Sequence, residues 1–444
     1  MESGQRVSEP LDNARLQKLS VVEAANAIAR GQITSQQLVR ALIDRIEARE
    51  GVVRAWAALN ADHALAQARA CDEGETRGPL RGVPVAVKDV LNTFDYPTQM
   101  GSPIYDGWQS RNDAACVAML RNAGAVVLGK TITCEFAGTH PNVTTNPLDA
   151  LRTPGGSSSG SAAAVADFMV PVALGTQTGG SVLRPASFCG LVGFKPTFGG
   201  YNREGLRFAS ECIDTIGLLS RTIEDVACCD QVLRGATPSA LAPLEKAPRV
   251  GLCRTYMWSL AQSETRDCVA TVVAQIEAAG VHVEEFELPP HFADLTEARA
   301  IVNDVERARS LAWEWTAHRD KLSPGLVKTM ESGISISDRD YRDALWQVAS
   351  ARIEVDLILR RYDVVVTAAV NGEAPLGLHY TGDPSFQALW TLLHVPSITL
   401  PAHRGPNGMP VGIQMIASAG DDSLLLLAAL WMQHTAYIRM EPKA

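Results

Sequence analysis

Short apolar runs rich in β-branched residues recur along the chain and predict β-strands. The first run, 83–87, ends at Lys88, and a second run of this kind follows at 125–129. Further runs predict strands at 170–174, 190–195, 249–253, 281–286, 363–367, 397–400 and 411–416.

Segments with apolar residues at helical spacing lie between these runs. Residues 16–75 are predicted to be helical, and residues 34–37 (Thr-Ser-Gln-Gln) resemble a capping box. Other segments predict helices at 114–123, 161–166, 264–279, 295–318, 341–361 and 424–432. Strands that alternate with helices in this way predict an α/β fold with helices covering both faces of a sheet.

The length of 444 residues fits either two or three average domains or one large domain. Apolar residues make up 46% and charged residues 20%, which allows a large buried core. The segment 235–248 is rich in Pro and Ala and is the best linker candidate. Because the alternation continues beyond it, we predict a single domain over residues 1–444 with a surface excursion there.

Charge and cysteine content exclude several function classes. The chain has 40 basic and 49 acidic residues, a net charge of −9, and no basic cluster of the kind that binds nucleic acid. Its longest apolar run is shorter than the roughly 20 residues that span a bilayer, and the first residues lead into no apolar signal core. Nine scattered cysteines without a Cys-x-x-Cys pair are typical of a reduced protein. We expect a cytoplasmic protein without nucleic-acid or membrane partners.

Candidate chemistry lies in two segments rich in glycine and small hydroxyl residues, 154–161 and 175–181. The small residues Thr178, Gly179, Gly180 and Ser181 allow a tight turn that aims several N–H groups at one point. Such a turn can hold the oxyanion that forms when Ser181 attacks a carbonyl group. A serine nucleophile needs a base. The nearest histidine along the chain is His140, and Lys88 at the end of a predicted strand is the alternative.

Other interpretations of the first segment remain open. It resembles a flexible linker, although it leads directly into a small-residue helix, and it lacks the Gly-Lys-Ser/Thr ending of a phosphate loop. Residues 156–160 (Gly-Ser-Ser-Ser-Gly) also fit the nucleophile elbow of an α/β-hydrolase-type esterase, with Ser158 as the nucleophile. The residues before it do not read as the strand that this elbow requires.

Taken together, four motifs resemble the amidase signature family. They are Gly-Val-Pro-Val-Ala-Val-Lys-Asp at 82–89, Gly-Gly-Ser-Ser-Ser-Gly-Ser at 155–161, Gly-Thr-Gln-Thr-Gly-Gly-Ser-Val-Leu at 175–183 and Gly-Phe-Lys-Pro-Thr at 193–197. The resemblance covers most of the chain, with a signature core at about 80–235 and a less typical helical stretch at about 255–360. It implies one large domain with a twisted, mixed central sheet.

The resemblance also implies a Ser–cis-Ser–Lys triad. Ser181 would be the nucleophile, Ser157 the bridging serine after a cis peptide bond, and Lys88 the base. The N–H groups of residues 178–181 would form the oxyanion hole. No cofactor or metal is implied, and the sequence contains no HExxH motif or Cys/His cluster.

Two residues depart from the family pattern. Gln177 stands where the family usually has Asp, and Arg184 lies three residues after Ser181, where the usual Arg lies two after. Because a buried Asp and Arg that pair would have to be lost together, we interpret both as a coupled change in the scaffold.

These motifs predict a hydrolase that cleaves the C–N bond of small, largely uncharged amides, including aryl amides, through an acyl-enzyme. Carbamates (urethanes) and esters share this tetrahedral chemistry and are further candidate substrates. The expected protein is a monomer or homodimer. The alternatives are the glutamine-hydrolysing subunit of a tRNA-dependent amidotransferase and a catalytically silent binding protein. An apolar substrate pocket is predicted from Met100, Tyr105, Cys134, Phe136 and Trp390.

Overall fold

The computed structural model describes residues 12–438, in which eleven strands form one sheet. The strands are β1 (Trp56–Leu59), β2 (Pro84–Lys88), β3 (Val126–Thr131), β4 (Val172–Gln177), β5 (Val192–Lys195), β6 (Thr215–Ser220), β7 (Val250–Leu252), β8 (Val283–Glu285), β9 (Val364–Ala368), β10 (Ser397–Arg404) and β11 (Pro410–Ile416). Their order across the sheet is β1-β3-β2-β4-β6-β5-β10-β11-β9-β7-β8. The sheet is mixed, since β2 runs parallel to β3 and β4, β7 runs parallel to β8 and β9, and the remaining pairs are antiparallel.

Fifteen α-helices among the described residues flank this sheet. They are α1 (Asn13–Lys18), α2 (Val21–Ala29), α3 (Ser35–Val53), α4 (Ala61–Asp72), α5 (Ala115–Asn122), α6 (Ser159–Ala166), α7 (Leu183–Cys189), α8 (Ile223–Leu233), α9 (Ser263–Ala278), α10 (Leu295–Ser310), α11 (Ala312–His318), α12 (Pro324–Ser335), α13 (Asp338–Leu359), α14 (Ser385–Leu392) and α15 (Asp422–His434). Short 3₁₀ helices lie at Pro103–Tyr105, Glu135–Ala137, Trp258–Leu260, Pro290–Asp294 and Arg319–Lys321. The predicted α/β fold with a helix-covered mixed sheet is confirmed.

All nine predicted strands are present, and two further strands were not predicted. β1 lies in the stretch predicted to be wholly helical, and its Trp-Ala-Ala-Leu sequence becomes a strand by antiparallel pairing with β3. β6 is buried between β4 and β5. Its Gly217 weakens the strand pattern, yet a Cβ there would lie 2.5 Å from the Phe194 carbonyl oxygen, so only glycine allows this close approach to β5.

The predicted helices agree well with the structure, with one break. The capping box at the start of α3 is present, because Thr34 Oγ1 accepts from the Gln37 N–H at 3.1 Å and Gln37 Oε1 accepts from the Thr34 N–H at 2.8 Å. The helix predicted at 295–318 is divided into α10 and α11 at Leu311. The linker candidate 235–248 contains no helix or strand.

Parallel pairing of β2 with β4 determines where the candidate chemistry meets. Val85, Ala86 and Val87 pair with residues 172–174, so both strands end at the same edge of the sheet. Lys88 is the last residue of β2, and Gln177 is the last residue of β4. The structure therefore brings the lysine and the second glycine-rich segment to one place.

Neither a membrane-spanning helix nor a cluster of metal-ligating side chains is found among the described residues. No helix within residues 12–438 combines the length and the apolar character needed to cross a membrane. Over this same range, no group of three or more His, Cys, Asp or Glu side chains is placed to hold a metal ion. The first residues, for which the sequence predicts no signal core, lie outside the described range.

Candidate active site

The Lys88 side chain is completely buried at the carboxyl end of β2. Its Nζ donates to Ser157 Oγ at 2.8 Å, to Thr176 Oγ1 at 2.7 Å and to the Thr176 carbonyl at 3.3 Å. Burial lowers the pKa of Lys88 to about 7, although Cys134 and Asp214 nearby oppose the shift. With that pKa, roughly half of the lysine is neutral at pH 7.

Ser157 follows a cis peptide bond to Gly156, as the resemblance implies. Its side chain is buried next to Lys88. A Cβ on Gly156 would lie 2.9 Å from Thr381 Cγ2 and 3.0 Å from Cys134 Sγ, so glycine is required at this position. The Cys134 N–H also donates to the Ser157 carbonyl at 3.2 Å, which fixes the backbone of this serine.

The turn at residues 178–181 is held in shape by Gln177. Its Oε1 accepts from the N–H groups of Val182 at 2.8 Å and Leu183 at 3.0 Å, where α7 begins. Its Nε2 donates to Thr391 Oγ1 at 2.9 Å, and that hydroxyl donates in turn to the Gly179 carbonyl at 2.7 Å. A carboxylate at position 177 could accept from both N–H groups but could not donate to Thr391. Glutamine at position 177 therefore makes both kinds of hydrogen bond, whereas the aspartate usual in the family could only accept.

The same turn presents unused backbone donors. Among the described residues, the N–H groups of Gly179, Gly180 and Ser181 donate to no protein acceptor. Thr178 Oγ1 donates a short hydrogen bond to Asp214, which anchors the start of the turn. All four residues line one cavity. Free N–H groups beside a serine hydroxyl are what an oxyanion hole requires.

Gly180 gives a direct test of how tightly this turn is packed. A Cβ there would lie 2.3 Å from Gln387 Oε1 on α14. We expect Gly180→Ala to lower the free energy of unfolding by about 1–3 kcal/mol, measured by chemical denaturation, and to lower turnover. Gly325→Ala in α12 is the control, because a Cβ there meets no atom within 4 Å. Equal stability of both variants would contradict the close packing of the turn against α14.

Ser158, the other candidate nucleophile, is placed differently. It is completely buried, its Oγ donates to the Thr176 carbonyl at 3.3 Å, and the same Oγ accepts from the Thr176 N–H at 3.3 Å. It does not line the cavity at Ser181, and no strand precedes it. Of the two serines, the geometry favours Ser181.

The cavity at Ser181 is small, with a volume of about 170 Å³, and its lining is mixed, slightly more polar than apolar. Loop residues 137–140, the turn at 178–181 and residues of α7, α10 and α12 surround it. Its ionisable side chains are those of Glu135, His140, Arg184, Arg299 and Arg307. This composition differs from the apolar pocket that the sequence predicts.

The five predicted pocket residues are absent from the lining of this cavity. Met100 and Tyr105 line a separate surface pocket together with Trp108 and Trp313. Cys134 packs behind Gly156, and Trp390 is completely buried in the core.

Phe136 is close to the cavity but turned away from it. Its backbone is left-handed (φ 44°), its ring packs edge-on to Tyr105, and only its neighbours along the loop line the cavity. Residues 135 and 137–140 of this loop line the cavity, and the apolar wall predicted from Cys134 and Phe136 does not form there.

Two cavity residues were missed by the sequence analysis. Arg299 and Arg307 lie on α10, in the less typical 255–360 stretch. They are eight positions apart, about two helical turns, so they share one face of the helix. This spacing was the available signal, but nothing in the sequence connects α10 with Ser181.

The amidase family model matches residues 37–426. The chain belongs to the amidase signature family. A glutamyl-tRNA(Gln) amidotransferase subunit from Moorella thermoacetica is 33% identical over 479 residues, which cover 96% of this amidase and 98% of the relative. A crystal structure of an amidase superposes with a TM-score of 0.85 at 29% identity, over 94% of this chain and 99% of its own. The native peptide amidase from Stenotrophomonas maltophilia gives a TM-score of 0.81 at 26% identity, over 96% and 98%.

Proposed function

We propose that this amidase cleaves a carboxamide with Ser181 as the nucleophile, Ser157 as the proton relay and Lys88 as the base. One observation carries the proposal: a completely buried lysine with a lowered pKa lies 2.8 Å from the Ser157 hydroxyl, while Ser181 opens into a cavity. The Ser158 N–H donates to the Ser181 carbonyl at 3.3 Å, so the two serine segments lie side by side. Buried, tuned bases of this kind are typical of active sites.

In the proposed reaction these groups act in sequence. Neutral Lys88 accepts the proton of Ser157, which accepts the proton of Ser181 as the Ser181 oxygen bonds to the carbonyl carbon. The free N–H groups of the turn stabilise the oxyanion. The relay then returns the proton to the leaving nitrogen, the C–N bond breaks, and water hydrolyses the acyl-enzyme by the same route to a carboxylate and free Ser181.

The relatives favour glutamine over the small uncharged amides that the sequence suggests. The Moorella relative named above belongs to an amidotransferase, and its similarity extends over nearly the full length of both chains. The cavity also favours a charged substrate such as glutamine, because three arginine side chains line it. We therefore propose that the substrate is a small primary carboxamide, that glutamine is the first to test, and that partner subunits belong to the working assembly.

The experiment combines ammonia release with covalent labelling. L-Glutamine is compared with aliphatic amides, anilides, carbamates and esters, and a fluorophosphonate probe is located by peptide mass spectrometry. We expect the probe on Ser181 and ammonia from glutamine, with higher turnover when co-purified partner subunits are present. Labelling of Ser158 would instead support the esterase elbow. Labelling of neither serine, without turnover of any substrate, would support a silent binding protein.

A further inference from the structure

Arg184 is a buried cation at the edge of the Ser181 cavity, and it forms no ion pair within the described chain although Asp383 lies near enough to act on its charge. Its side chain lines the cavity although the residue is only 5% exposed. Nη2 donates to the Gly156 carbonyl at 2.7 Å and, weakly, to Thr381 Oγ1 at 3.4 Å. Nε and Nη1 are buried and donate to no protein acceptor, and Arg184 forms no ion pair with any other residue of the 12–438 range.

The rest of the cavity does not neutralise this charge. Arg299 forms no hydrogen bond or ion pair within the described chain. Arg307 is buried, and its Nη1 donates to the Phe136 carbonyl at 3.0 Å. The one acidic side chain of the lining, Glu135, accepts from the Ser323 N–H at 3.1 and 3.3 Å. The lining therefore holds three guanidinium groups and one carboxylate, while Asp383, Asp304 and Asp214 act on these arginines without forming an ion pair with them.

A buried charge is costly unless an opposite charge or hydrogen bonds compensate it. Burial lowers the pKa of Arg184 to about 10, which still leaves the guanidinium charged at neutral pH. Guanidinium groups match carboxylates in shape and charge. A ligand carboxylate would supply the partner that the protein does not.

The position of Arg184 suits substrate orientation. It lies in the first turn of α7, three residues after Ser181, and its Nη1 is 3.3 Å from where a Cβ on Gly180 would lie. The guanidinium thus lies close to the turn that carries the free N–H groups. The cavity has a volume of about 170 Å³, which is room enough for a small molecule.

We propose that the substrate carries a carboxylate bound by Arg184, with Arg299 and Arg307 adding positive potential. This inference rests on the proposed amide hydrolysis and specifies its substrate class: small amides whose acyl part bears an anionic carboxylate, a class that includes glutamine and the half-amides of short dicarboxylic acids. It assigns Arg184 a role in binding rather than the purely scaffold role inferred from the sequence.

The first test uses two substrates that differ only in charge. Succinamate and butyramide have the same chain length, with a carboxylate in one where the other has a methyl group. We expect kcat/KM for succinamate to exceed that for butyramide by roughly 10- to 100-fold, the range of a charge-assisted hydrogen bond. Arg184→Met should move this ratio toward one through KM. Arg309→Met should leave the ratio unchanged, since Arg309 lies on the same helix as Arg299 but is exposed and pairs with Asp338.

The second test measures binding without turnover. Succinate is titrated calorimetrically into Ser181→Ala, and we expect the added Arg184→Met change to weaken Kd roughly 10- to 100-fold. Adding Arg309→Met should change Kd less than about threefold. Thermal melting of each variant shows that it is folded.

The outcomes separate this inference from the proposed function. Equal kcat/KM for the two amides in the unaltered protein, or succinate binding unaffected by Arg184→Met, would overturn the carboxylate site while amide hydrolysis stands. Succinate binding that depends on Arg184, in a protein that cleaves no amide, would support the site and refute the hydrolysis.

Discussion

Ser181→Ala is expected to lower kcat/KM about 10⁴-fold or more, because it removes the proposed nucleophile and the other hydroxyl of the turn, that of Thr178, is bonded to Asp214. Fold and melting temperature should be retained, since the Ser181 hydroxyl makes no hydrogen bond with other described residues that the change would remove. Ammonia release under saturating and dilute substrate separates the loss in kcat from any change in KM.

Ser158→Ala is the matched control for this prediction. It removes a hydroxyl that bonds only to the Thr176 backbone, at a cost of about 1 kcal/mol in stability. We expect its kcat/KM to stay within about tenfold of the unaltered protein, roughly the effect of a slight shift in a neighbouring residue. The reverse pattern, with Ser158→Ala inactive and Ser181→Ala active, would refute the proposed nucleophile.

Lys88→Arg is expected to abolish activity as completely as Lys88→Met, about 10⁴-fold or more. Arginine keeps the positive charge but cannot lose its proton, so it cannot accept one from Ser157. In the unaltered protein the active form is the neutral lysine, whose population rises with pH. Because burial lowers the pKa of Lys88 to about 7, kcat/KM should rise about tenfold per pH unit below pH 7 and level off above it.

A second buried lysine could produce the same pH dependence, so the Lys88→Arg variant is needed to identify the base. Burial also lowers the pKa of Lys195 to about 7, but its Nζ donates to the Val395 carbonyl at 2.6 Å and to the Pro196 carbonyl at 3.1 Å, away from the cavity lining. A pH profile that is flat from about 5.5 to 8.5, or substantial activity in Lys88→Arg, would contradict the role of Lys88 as base.

Most of the sheet was predictable because its strands are continuous apolar runs. β6 was missed since Gly217, needed for contact with β5, interrupts the run. β1 was missed since only Trp56 of its four residues favours a strand, and pairing with β3 determines their conformation. In both cases a tertiary contact outweighs the local pattern.

In the candidate site, too, local motifs were predictable and tertiary contacts were not. Lys88, Ser157 and the 178–181 turn are local motifs, and parallel pairing of β2 with β4 brings them together. The cavity lining depends on which way loop residues face and on a distant helix. Phe136 turns its ring away through a left-handed backbone, and Arg307 reaches the cavity from α10. Neither fact has a signal in residue type or spacing.

The hydrogen bonds that shape the 178–181 turn join residues very far apart along the chain. Gln177 and Thr391 are separated by 214 positions, and Gly179 and Thr391 by 212. Such contacts form late in folding because closing long loops costs entropy. During synthesis, the segment that carries the proposed nucleophile therefore emerges from the ribosome well before α14, the helix that supports it. A nascent chain can complete the 178–181 turn only when translation is nearly finished.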